Sequence, residues 1–153
     1  MNVILDTNIL LVIAPKPSAY HWVFEQLRAR TFSLVVSTDV LEEYAEKLGE
    51  WYGQAFMDAV LTELTTLPNV LATSPAYFYR LINKDPDDHK FIDAYLSGNA
   101  NLLVSNDGHF KAVFKVDFPV VNWAVFADFA AYLQGGPLVL QTPKRRRNRK
   151  QGG

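Results

Sequence analysis

No cysteine occurs in the 153 residues, so disulfides and thiolate zinc sites are excluded. No apolar run approaches the ~18 residues that a membrane span needs, and no basic-plus-apolar leader opens the chain. These absences lead us to expect a cytoplasmic protein with no membrane partner. Only three histidines are present, His21, His89 and His109, and no two are paired. Basic charge is sparse over most of the chain. Formal net charge is -1, yet Lys144, Arg145, Arg146, Arg147, Arg149 and Lys150 make up six of the fifteen basic residues. Residues 1–143 therefore hold nine basic against sixteen acidic side chains, a net of -7. The tail has no apolar residue to pack and is expected to be disordered, either a phosphate-binding arm or a solubilising extension.

What the chain has in quantity is apolar surface. At 49% hydrophobic it can bury a sizeable core, and one domain is the natural count. That domain is expected over residues 1–136, closing at Gly135-Gly136-Pro137, with 137–153 as a C-terminal extension.

The best-marked element is Asp85-Pro86-Asp87-Asp88-His89-Lys90-Phe91-Ile92-Asp93-Ala94-Tyr95-Leu96-Ser97-Gly98. Asp85 suits an N-cap, Pro86 the first helical position, Asp87 and Asp88 the first turn, and Gly98 the end. Phe91, Ile92, Tyr95 and Leu96 form one apolar stripe. At ~100° per residue Asp88 falls on that stripe and Asp93 well off it. A carboxylate aimed at a core is costly unless a cap, a basic partner or a cation receives it.

Taken in order, Asn2–Leu5 reads as a short buried strand ended by Asp6-Thr7-Asn8, with a short helix near Ile9–Ala14. A helix capped by Ser18 is expected from Ala19 to about Arg30, then a strand over Phe32–Ser37. Asp39 and Glu42 suggest a capping box for a helix that Gly49 ends. Residues 50–67 repeat apolar positions at helical period, and Val70–Thr73 is a possible third strand. After the marked helix come a strand at Asn101–Ser105, a turn at Asn106-Asp107-Gly108, and a short helix near His109–Phe114. An edge strand is expected at Phe118–Trp123, then an apolar helix from Ala124 to Leu133. Leu138–Leu140 would add a weak strand or dock elsewhere. Strands alternating with helices imply an α/β fold with a mostly parallel sheet.

In such folds the working site lies beyond the carboxyl ends of the strands. Asp6 ends the first strand, Asp107 follows the Leu102–Ser105 strand, and Asp88 and Glu43 sit in the first turns of helices. All four are candidates for one rim. Clustered carboxylates raise one another's pKa unless a cation neutralises them. All-oxygen donors suit Mg²⁺ or Mn²⁺ rather than zinc. A divalent ion there activates water and neutralises charge on a phosphodiester, the chemistry of a nuclease. Glu43 has the weakest individual case, because Glu42 and Glu46 beside it would make an ordinary charged helix face.

The chain resembles the PIN-domain nucleases, in particular the single-domain prokaryotic VapC-like toxins of toxin–antitoxin pairs. The resemblance rests on Val3-Ile4-Leu5-Asp6-Thr7-Asn8, Leu41-Glu42-Glu43-Tyr44, Asp85-Pro86-Asp87-Asp88 with Phe91-Ile92-Asp93-Ala94, and Leu103-Val104-Ser105-Asn106-Asp107. It implies a three-layer α/β/α domain with helices on both faces of the sheet, acting as a Mg²⁺- or Mn²⁺-dependent endoribonuclease. Asp6, Glu43, Asp88 and Asp107 would be its catalytic acids, with metal held by Asp6, Asp88 and Asp107. Asn8 and Ser105 would support them from behind; Ser105 stands where Thr is commoner. Asp85, Asp87 and Asp93 compete for the third acidic position, which the helical phase and the motif both give to Asp88. RNA is the expected partner, its phosphates held by Lys84, Lys90 and Lys111 and also by Arg80 and Lys115. A cognate antitoxin and a homodimer are possible partners, with Trp22, Trp51, Tyr44, Tyr52 and Phe56 shared between core packing and such a face. The alternatives are a PIN-like binding protein without cleavage, or a Mg²⁺-dependent phosphotransfer domain. Haloacid-dehalogenase chemistry wants a second Asp where Asn8 stands, and a receiver domain wants a strand-end Lys that the strands here do not supply.

Overall fold

Three apolar residues without a break, Val3-Ile4-Leu5, suit a strand covered on both faces, and all three are fully buried. This strand, β1 (Asn2–Leu5), is the middle of a five-stranded sheet in a computed structural model of the chain. The structure describes residues 1–74, 86–115 and 121–142, except the side chains of 86–89 and 112–115. β1 is followed by α1 (Thr7–Ile13), α2 (His21–Arg28), β2 (Ser33–Val36), α3 (Thr38–Tyr52), α4 (Gln54–Thr66) and β3 (Val70–Ala72). Then come α5 (Pro86–Ser97), β4 (Leu102–Val104), a 3₁₀ segment (Gly108–Lys115), β5 (Trp123–Ala124) and α6 (Phe126–Leu133). Among the described residues no helix is long and apolar enough to cross a membrane.

Every pairing is parallel, in the order β3-β2-β1-β4-β5. Val3, Ile4 and Leu5 lie opposite Leu102, Leu103 and Val104 of β4, and Asn2 and Val3 opposite Ser33 and Leu34 of β2. The chain builds outward from β1 through β2 to β3, then returns across β1 to place β4 and β5 on its other side. The order therefore reverses between β1 and β4, the point at which the loops beyond the two strands diverge and leave a crevice. Helices cover the sheet to give the α/β/α architecture, with α5 packed against β1, β2 and β4 and α1 against α2 and α3.

Several boundaries differ from the sequence reading, each for a local reason. α3 is capped by Ser37, whose hydroxyl accepts from the Val40 N–H at 3.2 Å, so Asp39 is helical instead of capping. The same helix runs through Gly49, where a Cβ would meet nothing, and stops at Gly53, whose φ of +87° is left-handed. A mid-helix glycine costs only about 1 kcal/mol, which the buried Tyr44 and Leu48 outweigh. α2 starts at His21 and α6 at Phe126, each two residues later than expected. β5 covers only Trp123 and Ala124, at the sheet edge, while positions 118–120 of the expected strand lie outside the described residues. Beyond α6, Leu138 and Leu140 are partly buried against the core and the Gln141 N–H donates to the Trp123 carbonyl at 2.7 Å. The basic tail lies outside the described residues.

Candidate metal centre

Asp6 leaves the end of β1 at the crevice. It stands at the N-cap position of α1 but makes no side-chain cap bond. Its carboxylate turns instead to β4, where the buried Ser105 hydroxyl donates to Oδ2 at 2.7 Å. The same Ser105 oxygen accepts from the Asp107 N–H at 2.9 Å. One hydroxyl thus links the two strand ends and sets the turn that carries Asp107. Ser105 is itself held from β5, because the Trp123 indole N–H donates to its carbonyl at 2.8 Å. Asp107 Oδ1 accepts from the His109 N–H at 2.9 Å, and the His109 Nδ1 lies 3.4 Å from the same oxygen.

Glu43 arrives on α3, the helix that follows the neighbouring strand β2. The fully buried Tyr44 hydroxyl donates to the Leu5 carbonyl at 2.5 Å, which locks the phase of α3 against the end of β1. Burial pushes the Tyr44 phenol well above its ordinary pKa, with the Asp6 and Glu43 charges adding to the shift, so it stays a donor. Glu43, one residue before, is thereby turned into the crevice. Its Oε2 accepts from the Thr7 hydroxyl and its Oε1 from Lys90 Nζ at 2.9 Å.

These groups converge. A cleft of about 150 Å³ is lined by Asp6, Thr7, Asn8, Glu43, Lys47, Phe91 and Asp107. Beside it a depression of about 280 Å³ is lined by Asp39, Glu42, Glu43, Glu46 and Lys90. A larger cleft of about 470 Å³ lies around Pro15, Phe24 and the Arg28–Glu63 ion pair, and none of the sequence-predicted site residues line it. Size does not mark the site here; the chemistry of the lining does.

Asp6 is 7% exposed. Burial holds its pKa above the ordinary carboxylate value, and the charges of Asp107 and Glu43 push the same way. The Ser105 hydroxyl and the Thr7 N–H offset part of that. A carboxylate that is desolvated, repelled by two more and still held in place by a donor is poised for a cation. The donors are all oxygen, which fits a hard divalent ion. Among the described residues no three acidic or histidine side chains close tightly enough to hold an ion by themselves. The backbone of Asp88 lies in the first turn of α5, and its side chain, like those of Asp87 and His89, lies outside the described residues. Asp85, Lys84 and Arg80 lie outside them altogether, as does the Lys115 side chain.

The position of Asp93 corrects the sequence reading. Expected off the apolar stripe, it is buried at 2% exposure. α5 packs against three strands and also against α3, so more than one side of it is covered. Asp93 nevertheless does not line the cleft. Lys111 is exposed on the 3₁₀ segment, whereas Lys90 faces Glu43. Asn8 lines the cleft from α1. Four contributors escaped the sequence reading in these roles: Thr7, Tyr44, Lys47 and Trp123. Lys47 had a legible signal, since it stands one helical turn after Glu43. The others act through hydrogen bonds between segments far apart in the chain, which no local pattern announces.

The sequence matches the PIN domain family over residues 2–109. No curated protein sequence matches it significantly. Among solved structures the chain is similar to VapBC2 from Rickettsia felis, bound to a DNA fragment from its promoter. The TM-score is 0.56 at 20% identity, over 82% of this chain and 99% of that one. It is also similar to VapC20 from Mycobacterium tuberculosis, a toxin that cleaves the sarcin–ricin loop. There the TM-score is 0.51 at 19% identity, over 72% of this chain and 93% of that one. At these identities the likeness is one of fold.

Proposed function

The chain belongs to the PIN-domain family, and on that premise we propose that it is a divalent-metal-dependent endoribonuclease, the toxin of a type II toxin–antitoxin pair acting in the cytoplasm. One observation carries the reading. Asp6, buried and oriented by Ser105, shares a cleft with Glu43 and Asp107 at the point where the strand order reverses. In this reading Asp6, Asp88 and Asp107 hold Mg²⁺ or Mn²⁺. When bound, the ion supplies positive charge against the phosphodiester and activates water.

The rest is the work of this chain's own residues. Ser105 keeps Asp6 in one rotamer and ties the Asp107 turn to it. Thr7 and Lys90 hold the Glu43 carboxylate, one on each oxygen. An ionised carboxylate has about four acceptor sites, so each oxygen retains one. Glu43 is therefore the group that takes the proton of the attacking water at Oε1 or Oε2. Lys90 serves Glu43, and Lys111 and Lys84 serve the flanking phosphates of single-stranded or structured RNA. The nuclease domain is residues 1–136 and the basic segment within 137–153 is an accessory arm. The shared fold with VapBC2 supports a cognate antitoxin as partner, and a homodimer belongs to the same reading.

The test is cleavage of single-stranded RNA in Mn²⁺. Asp88→Asn abolishes it with an unchanged circular dichroism spectrum, while Asp87→Asn keeps most of the rate. Equal loss from Asp87→Asn would mean that the wrong carboxylate was chosen. A wild-type protein that binds Mn²⁺ and leaves every RNA intact would remove the ribonuclease reading.

A further inference from the structure

α1 and α3 pack side by side, and Tyr52 at the end of α3 donates from its hydroxyl to the Leu11 carbonyl of α1 at 2.7 Å. α1 starts at the carboxylate cleft with Thr7 and Asn8, and α3 passes it with Glu43 and Lys47. Steps of four residues along each helix lead away from it. On α3 the series is Glu43, Lys47, Trp51, and on α1 it is Asn8, Val12. Each step is roughly 6 Å along the helix axis and turns by ~40°, so Trp51 lies ~40° round from Lys47 and ~80° from Glu43. The chemistry changes along the seam from carboxylate to ammonium to aromatic. Trp51 is 65% exposed and Tyr52 39%, with ring centroids 6.4 Å apart. Val12 is exposed as well, and Leu11, Val12 and Tyr52 line one open groove.

An exposed indole one turn beyond a cleft-lining lysine does not serve the core. Among the described residues Lys47 is held elsewhere only by an exposed ion pair. Its pair with Glu50, at 3.3 Å, joins two side chains that are 42% and 53% exposed, and such a pair yields readily to a better anion. We infer that the α1/α3 seam is a nucleotide subsite, in which Lys47 holds a phosphate next to the scissile one and the Trp51 ring stacks on the base that follows. This rests on the ribonuclease reading above. Stacking platforms beside a cationic groove are the general means by which single strands are held without sequence preference. Although Glu46 and Glu50 flank it on α3, Lys47 is the one cation among the described residues lining the carboxylate cleft, and an ammonium there favours a phosphate of RNA over an apolar peptide helix as the occupant.

The test follows initial rates of cleavage of a single-stranded RNA in Mn²⁺, with the same RNA shortened one nucleotide at a time from each end. Removing one stacking partner costs about tenfold in affinity. Trp51→Ala is therefore expected to raise KM about tenfold, with the loss lying in KM and not in kcat, and Trp51→Phe to restore most of it. Lys47→Met raises KM and flattens its salt dependence. The Trp51→Ala penalty disappears once the stacked nucleotide has been trimmed away. If wild type cleaves and Trp51→Ala matches its KM at every length, the subsite is overturned and the ribonuclease reading stands. If wild type binds RNA without cleaving it, and Trp51→Ala weakens that binding in fluorescence polarisation, the subsite stands and the ribonuclease reading falls. An unchanged KM together with lost self-association in sedimentation would assign the surface to a protein partner and overturn the proposal.

Discussion

Ser105→Ala removes a single oxygen from a fully buried side chain, and that oxygen serves both strand ends at once. It donates to Asp6 Oδ2 at 2.7 Å and accepts from the Asp107 N–H at 2.9 Å. A hydrogen bond to a charged group contributes about 1.5–3 kcal/mol. The backbone donor of Asp107 lies in a partly exposed turn where water can replace its partner, so its loss adds a few tenths to about 1 kcal/mol. A net cost of about 2–4 kcal/mol follows, which for a domain of this size lowers Tm by roughly 5–15 °C. The pH dependence has a definite sign. Burial already raises the Asp6 pKa, and the Ser105 donor is the largest influence holding it down. Without that donor the folded-state pKa rises further. The lost stabilisation belongs to the ionised form, so the gap between wild type and variant is widest at neutral pH and narrows as pH falls through the folded pKa. Thermal melts of the metal-free protein from pH 7.5 down to pH 4.5 read this directly. Titration calorimetry with Mn²⁺ reads the second consequence, a ~10–100-fold weaker ion, because an unoriented Asp6 must be re-ordered on binding. A variant that melts with wild type across the series and binds Mn²⁺ equally well would refute the role assigned to this hydroxyl.

Asp6→Asn without metal melts at or above wild type at neutral pH, since the fold disfavours the charge that is removed; the advantage shrinks as pH falls through the raised folded-state pKa and is gone below the ordinary carboxylate value, where Asp6 is neutral in both states. A variant melting several degrees lower would make Asp6 a structural cap. Gly98→Ala costs about 1–3 kcal/mol in urea unfolding, because the new Cβ would lie 2.4 Å from Val35 Cγ1 and 3.0 Å from the Ala94 carbonyl; no change in midpoint would mean that α5 slides freely on β2. Replacing the lysines and arginines of Lys144–Lys150 by serine weakens RNA binding more at low salt than at high salt and leaves turnover at saturating RNA unchanged. Identical binding across the salt series would make the tail a solubilising segment.

Much of this protein is written locally. A run such as Val3-Ile4-Leu5 followed by Asp6-Thr7-Asn8, or Pro86 through Gly98 with both ends punctuated, declares an element because periodicity and capping act over one or two turns of chain. Alternating strands and helices then require a parallel sheet, and a parallel sheet requires its loops, with Asp6 and Asp107, to emerge on one edge. That Asp6 and Asp107 would meet at one cleft was legible for that reason. So was the family, through four short motifs in order.

What the tertiary structure alone decided lies between segments far apart in sequence. The order β3-β2-β1-β4-β5 puts β1 beside β4, which lets Ser105 reach Asp6 across 99 positions of chain. Tyr44 reads as a helix-face aromatic until its hydroxyl is seen on the Leu5 carbonyl, and Lys90 reads as a surface cation until it is seen on Glu43. Asp93 is buried because α3 and three strands close on α5 together, a fact about several partners that the phase of one helix does not contain. Gly49 stays helical for the same kind of reason: the residues around it have a core to face, and packing outweighs a local propensity of about 1 kcal/mol. Periodicity tells which face of an element is apolar; only the assembled neighbours determine how many faces are covered and which polar groups meet there.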